Sequence, residues 1–284
     1  MSIHTLAAVA ETAAIGSRVR IGPFCVVESD VTIGDGCILE NGAIIRSGTT
    51  LGAGNHVFEG AVLGGDPQHT HMPENPGRLV IGDGNTIREN VTIHRAMEPE
   101  NATIVGNDNL LMVNSHVAHD CCLGDHTILT NNVMLAGHVR VEDRAFLSGA
   151  AAVHQFCRIG TLAMVGGQSH ATRDVPPFVT VDGLSSLVVG LNQIGLRRAG
   201  FDQQQIRQLK DAYRVVYRSG LLWKEMLVRL RSEFADGPAA QFYEFLSTTT
   251  RGITPERRMP PGATLKLRRE SESDHAPEAR AKAG

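Results

Sequence analysis

Every sixth residue along most of this chain is aliphatic. The series runs Ile3, Val9, Ile15, Ile21 and onward at six-residue steps to Leu63. It resumes at Ile81, Ile87 and Ile93, and again from Val105 to Val165, with no polar residue at any of these places. The following residue is often glycine (Gly16, Gly34, Gly52, Gly106), and the fourth residue on is often small (Cys25, Ala43, Ser115, Ala151). A helix needs a period near 3.6 and a simple strand a period of 2. A period of six with a glycine-like corner suits a short flat strand plus a turn, stacked coil upon coil. The aliphatic residues then point inward and form ladders at a spacing of about 4.8 Å. Backbone edges are left open only at the two ends of such a solenoid.

Two stretches break the period. Gly64 to Leu79 holds three prolines and three glycines and reads as a protruding loop. A shorter break lies around Met97 to Thr103. After Pro176-Pro177 the period is lost and helical spacing begins. Leu187 to Ala199 is expected to be a helix stopped by Gly200. Asp202 is a good N-cap for a helix over Gln203 to Arg218, with Ser219-Gly220 as its stop. Leu221 to Phe234 and Pro238 to Thr249 read as two more. The expected domains are a β-helix over 1–178, a helical domain over 179–254 and a disordered tail over 255–284, which is charged and poor in apolar residues.

Composition narrows the class. The 284 residues carry a formal net charge of −3, so nothing global pulls the chain toward nucleic acid or an anionic membrane. No apolar run approaches the roughly 20 residues that span a bilayer. Met1 to His4 lack a basic region followed by an apolar run, so no secretory signal is expected, and the five cysteines are odd in number. Reduced thiols in a cytoplasmic protein are therefore expected.

The chemistry concentrates in His116 to Asp120. Three hexapeptides make a coil of about 18 residues. Positions one coil apart lie above one another, so His119 falls under Gly137 and Gly137 under Gln155, with His138 and His154 alongside. A neutral imidazole is the usual general base near pH 7. Gly137 has no side chain, so its N–H is open to a developing oxyanion. Adjacent side chains on a strand point to opposite sides, so Asp120 is expected to face substrate or a neighbouring subunit rather than His119. With no Ser or Cys nucleophile in view, direct attack by an activated substrate hydroxyl is expected. Each histidine alone is more simply polar surface, and only their convergence argues for a site. A zinc site of the γ-class carbonic anhydrase kind is not matched in ligand spacing, so no metal and no cofactor are expected.

The six-residue period resembles the hexapeptide-repeat family over about residues 3–175, which implies a left-handed parallel β-helix with a C-terminal α-helical domain. A closer resemblance rests on Ile93-His94-Arg95, Asn114 to Cys121, Leu135 to His138, Val153 to Cys157, Asp174 to Pro177 and Gly190-Leu191-Asn192. With Gly195 to Arg198 and Gly200-Phe201, these segments look like the acyl-ACP–UDP-N-acetylglucosamine O-acyltransferases of lipid A biosynthesis. That resemblance implies a homotrimer with active sites between subunits. It implies His119 as general base on the sugar 3-hydroxyl, Gly137 as oxyanion donor, and a 3-hydroxyacyl group arriving on acyl carrier protein. It sets Gln68, His116, Asp120, His138, His154 and Gln155 around substrate. Asn192 and Arg198 fall at positions near the nucleotide of UDP-N-acetylglucosamine, and Gly167 where acyl length is gauged.

Two positions after Gln68 depart from the resembled pattern: His69 and His71 stand where an acidic residue and a lysine are usual. They keep a 3-amino or other nucleotide-sugar acceptor open as an alternative. A non-catalytic trimeric homologue is the third reading. Arg197, Arg198, Arg207 and Lys210 are candidate contacts for an acidic carrier protein, or simply a solvated helix face.

Overall fold

The structure is a computed structural model, described over residues 1–257. Residues 258–284, most of the expected disordered tail, lie outside the described residues.

Strands as short as two residues recur from Ser2–Ile3 to His170–Ala171. Each pairs in parallel with the strand one coil further on. The chain thereby winds a three-sided prism whose sheets hold 11, 9 and 8 strands among the described residues. Along the second sheet the register steps by one coil from His116 to Met134 to Ala152. The two breaks enter as longer coils, so that His56 pairs with Thr86 and Thr92 with His116. The six-residue aliphatics point inward: Ile33, Leu39, Ile45, Leu63 and Ile93 are each at most 1% exposed. Full burial of each such side chain is worth roughly 1.5–3 kcal/mol.

The corners differ from expectation. The turning residue is the third after the inward aliphatic, not the glycine next to it. Asp30, Asn114, Asp120 and Phe156 occupy it with φ of 54°, 60°, 58° and 64°. Left-handed backbone costs a non-glycine residue about 1–2 kcal/mol. Corner amides offset this by pairing with the previous coil, as in His138 N–H to His119 O at 3.0 Å and Phe156 N–H to Gly137 O at 3.1 Å. The glycine after the aliphatic is needed for space: a Cβ on Gly34 would sit 2.5 Å from the carbonyl carbon of Gly52.

One polar ladder runs inside the prism. Asn85 N–H and Nδ2 both donate to Asn55 Oδ1 at 2.9 Å, and Asn109 N–H donates to Asn85 Oδ1 at 2.9 Å. Thr127 Oγ1 continues it to Asn109 Oδ1 at 2.7 Å. These side chains sit at the small inward position near the corner, where they satisfy amides that the long coils would otherwise strand.

The C-terminal segment closes the far end of the prism. Val179–Val181 extends the first sheet, and Val188–Leu191 turns back antiparallel onto it. The helix expected over Leu187 to Ala199 is thus a strand followed by a short α1, Gln193–Arg198. Gly190, at φ +150°, holds a backbone that a helix cannot use, and Asn192 starts α1 by accepting the Gly195 N–H at 2.9 Å. α2 (Gln203–Arg218) matches expectation, with Asp202 and Gln205 forming a capping box. α3 (Trp223–Glu233) and α4 (Ala240–Ser247) are slightly shorter than expected. Phe178 and Phe242 are fully buried with ring centres 5.8 Å apart, joining prism to helices in one core. Residues 255–257 belong to this unit rather than to a tail. Arg257 N–H donates to Val188 O at 2.9 Å, and Tyr213 donates to Glu256 at 2.7 Å. All five cysteines are free.

Asn85→Ala takes the acceptor from the Asn109 N–H and a donor from the Gly106 carbonyl inside the prism. It should lower unfolding free energy by about 1–3 kcal/mol, read from the denaturant midpoint at unchanged slope.

Candidate active site

The edge between the second and third sheets gathers the reactive residues. Coil pairing stacks His119 under Gly137 and Gly137 under Gln155, as the spacing predicted. It stacks Asp120, His138 and Phe156 as a second row beside them. His119 is 9% exposed, which makes it a buried group rather than surface.

Asp120 overturns its expectation. It is not on the strand but at the left-handed corner, and the corner swings its carboxylate back toward its neighbour. Asp120 Oδ2 lies 2.8 Å from His119 Nδ1. A carboxylate only accepts, so Nδ1 carries a proton, and in the neutral ring Nε2 holds the lone pair. Asp120 is itself held: Oδ2 accepts the Met97 N–H at 3.1 Å, and its own N–H donates to Thr103 Oγ1 at 2.8 Å. Both partners come from the second break, so that insertion fixes the orienting carboxylate.

Gly137 is fitted to the imidazole. A Cβ there would lie 2.6 Å from His119 Cε1 and 2.7 Å from Nε2, closer than atoms pack. The open side of Nε2 therefore exists only because residue 137 is glycine. The Gly137 N–H meets no backbone acceptor among the described residues, as an oxyanion donor requires.

His138 meets His119 edge to face at 5.2 Å and stacks on the exposed Phe156 at 4.6 Å. Burial lowers its pKa, with Asp120 opposing and His119 and His69 adding to the fall. His116 lies one strand residue before this edge and 2.7 Å from Thr92 Oγ1. Burial, then the nearby His94, lowers its pKa to about 4. His154 does not join the cluster. Its Nδ1 lies 3.3 Å from Arg251 Nη2, which comes from beyond the helices. Gln155 is exposed at the third level of the edge.

The first break folds over the same edge. Gln68 is exposed on it, and the His69 ring sits 6.0 Å from that of His119. Sequence reasoning missed His94, which is buried beside Gly65 with its ring 5.1 Å from His116. Counting the second break as one extra hexapeptide would have put His94 one coil before Ala118. Phe156 was missed as well, although coil spacing sets it over His138.

Gly167, Asn192 and Arg198 are not at this edge. Gly167 turns the edge between the first and second sheets. Asn192 and Arg198 line a cleft with His126 and Arg144 against the first sheet, by its edge with the third. Asn192 is also structural, since its Nδ2 donates to Leu162 O at 2.9 Å. One prism therefore spreads the expected site over its three edges. Among the described residues, one group has metal-ligand geometry: His119, Asp120 and His138, whose donor atoms lie within 4.8 Å of one another.

Known proteins share this architecture. Residues 174–254 match the family model described as UDP-N-acetylglucosamine O-acyltransferase, domain 2, and residues 12–47 match bacterial transferase hexapeptide repeats. An acyl-[acyl-carrier-protein]–UDP-N-acetylglucosamine O-acyltransferase of Gloeothece citriformis is 47% identical over 192 residues, 66% of this chain and 69% of the relative. One from a Janthinobacterium species is 44% identical over 196 residues, covering 67% and 75%. The solved UDP-N-acetylglucosamine acyltransferase of Francisella novicida superposes with TM-score 0.87 at 37% identity, covering 90% of this chain and 95% of that one. That of Bacteroides fragilis gives 0.85 at 38%, covering 88% and 99%. The prism is the left-handed β-helix that the family resemblance implied.

His116 yields a pH prediction. Its folded pKa, about 4, lies below the ordinary histidine value near 6.5. Between these values the unfolded chain binds the proton and the folded chain does not, so stability falls as pH drops from about 6.5 to 4. Thermal melts across that window should show the decline, and His116→Gln should flatten it; an unchanged slope would refute the assignment.

Proposed function

This chain belongs to the UDP-N-acetylglucosamine O-acyltransferase family, and from that premise we propose a reaction and a division of labour among its residues. The enzyme moves a 3-hydroxyacyl group from acyl carrier protein to the 3-hydroxyl of UDP-N-acetylglucosamine, the first step of lipid A biosynthesis. The observation that carries the catalytic assignment is the Asp120–His119 pair with Nε2 open over Gly137.

His119 Nε2 takes the proton from the sugar hydroxyl as its oxygen attacks the thioester carbonyl. Charge builds on the carbonyl oxygen, where the Gly137 N–H donates to it. The C–S bond then breaks, and the thiolate of the carrier's prosthetic arm takes the proton back from His119. Asp120 keeps the imidazole in the productive tautomer and favours its charged form during the step. A hydroxyl attacking directly needs no enzyme nucleophile. The Cys121 thiol, next in sequence to Asp120, is held protonated by burial, its pKa raised to about 12.

The working form we propose is a cytoplasmic homotrimer. Gln68, His119 and Gly137 lie on one edge of the prism, Gly167 on another, and Arg198 by the third. A second copy packed alongside sets one copy's edge against another's and lets these residues share a substrate. Arg144, Arg198 and His126 face one cleft, a charge arrangement suited to a diphosphate. Gly167 leaves room at its edge for a longer acyl chain. No helix among the described residues is long and apolar enough to cross a membrane.

Incubation of the purified chain with 3-hydroxyacyl carrier protein and UDP-N-acetylglucosamine should give the 3-O-acylated nucleotide sugar and free carrier thiol, both read by mass spectrometry. Transfer only to a 3-amino analogue would replace the acceptor, and no transfer to either would end the proposal. His119→Ala should lose about 10²–10⁴ in kcat, the scale for removing a general base. Gly137→Ala should displace the imidazole and lose on the order of 10² in kcat while the β-sheet circular dichroism is retained.

A further inference from the structure

The first break leaves the prism between the second and third sheets, on the edge that carries His119. Both of its ends close on one short segment, Arg95-Ala96. Arg95 N–H donates to Gly65 O at 2.9 Å, and Gly77 N–H donates to Ala96 O at 2.9 Å. From Pro67 to Pro76 no backbone group of the loop pairs with the backbone of the prism among the described residues. Gln68 and His69 fall in that stretch, yet the His69 ring sits 6.0 Å from that of His119. Something other than backbone pairing sets where they lie.

A chain of charges stands at the root of the loop, and Asp66 is its centre, two residues before Gln68. Arg95 Nη2 donates to Asp66 Oδ1 at 2.5 Å, and Arg46 Nη2 lies 3.9 Å from Asp66 Oδ2. Arg46 is held in turn, its Nε 2.8 Å from Glu28 Oε1, while Glu28 Oε2 accepts the Ser47 N–H at 2.9 Å. One carboxylate thus joins two guanidinium groups rooted in different coils. Fully exposed ion pairs contribute little. The Arg95 side chain is only 15% exposed, however, and its neighbour His94 is buried. A charge-assisted bond to a guanidinium so placed fixes direction as well as distance. Counting on from the pairs Thr92 with His116 and Ile93 with Val117 sets Arg95 one coil before His119. The clamp and the imidazole therefore share one column.

We propose that the Asp66–Arg95 pair is the positioning element of this loop, fixing Gln68 and His69 against the catalytic edge. The inference rests on the reading of His119 as the base and of Gln68 as a substrate contact. Neither Asp66 nor Arg95 touches the reacting atoms; both act through the loop. Breaking the pair releases the stretch from Asp66 to Pro76 and leaves the prism and the Asp120–His119 bond in place. The loss then falls on capture of the nucleotide sugar rather than on proton transfer, so KM rises while kcat holds.

The test compares the full chain with Asp66→Asn, Arg95→Met and the double variant. In chains carrying carbon-13 at histidine Cε1, the His69 resonance, assigned by its loss in His69→Gln, reads the loop without substrate. It should sharpen and move to the position of a free imidazole in both single variants, while the His4 and His126 signals stay. KM for UDP-N-acetylglucosamine should rise on the order of 10-fold in each, the scale of one charge-assisted hydrogen bond, with kcat changed less than about 3-fold. The double variant should rise no further than the single ones, because the two residues act as one pair. Arg78→Met, which breaks the exposed pair of Arg78 with Asp30 at the other end of the loop, should leave both readouts unchanged. An unmoved His69 signal in both single variants overturns the clamp. A moved signal with unchanged KM, or kcat falling as far as KM rises, overturns the positioning role. Additive effects in the double variant overturn the pairing. Absence of transfer by the unaltered chain would bear on the acyltransferase reading alone, since the histidine spectrum is read without substrate.

Discussion

Parallel backbone pairing between successive coils is the interaction on which the rest of this molecule depends. It ties each strand to the one a full coil away and so fixes which residues share an edge. It also holds the corners. Residues as unsuited to left-handed backbone as Phe156 and Leu162 adopt it there, because the ladder on either side fixes the chain path. The inward aliphatics supply the driving force, but the ladder sets the register. The asparagine ladder through Asn55, Asn85 and Asn109 maintains that register where the coils lengthen.

The His119–Asp120 pair arises from the same corner geometry. Two adjacent residues on a straight strand diverge, whereas His119 and Asp120 straddle a turn at φ +58° and meet. The fold thus pairs an imidazole with a carboxylate from neighbours in sequence. The two insertions complete the arrangement. One supplies the Met97 amide and Thr103 hydroxyl that hold Asp120, and the other lays His69 against His119. A rigid prism sets the first rank of groups, and its loops set the second.

Much of this was legible in the residues. The six-residue aliphatic series requires a stacked coil, and coil length alone brings His119, Gly137 and Gln155 into one column. Asp202 and Gly220 marked the ends of α2, because capping is local chemistry. The strand at Val188–Leu191 was hidden, because its pairing with Val179–Val181 is not local and its spacing suits a helix equally well. His94 and the loop contact of His69 were hidden behind the insertions, which break the arithmetic. The side to which Asp120 turns was decided by backbone dihedrals that no residue count reveals. Sequence by itself therefore determined the coil and its columns, since these derive from periodicity. Only the tertiary structure decided which neighbours the side chains face, and that three edges of one prism divide the expected site, because orientation depends on how the corners and insertions close.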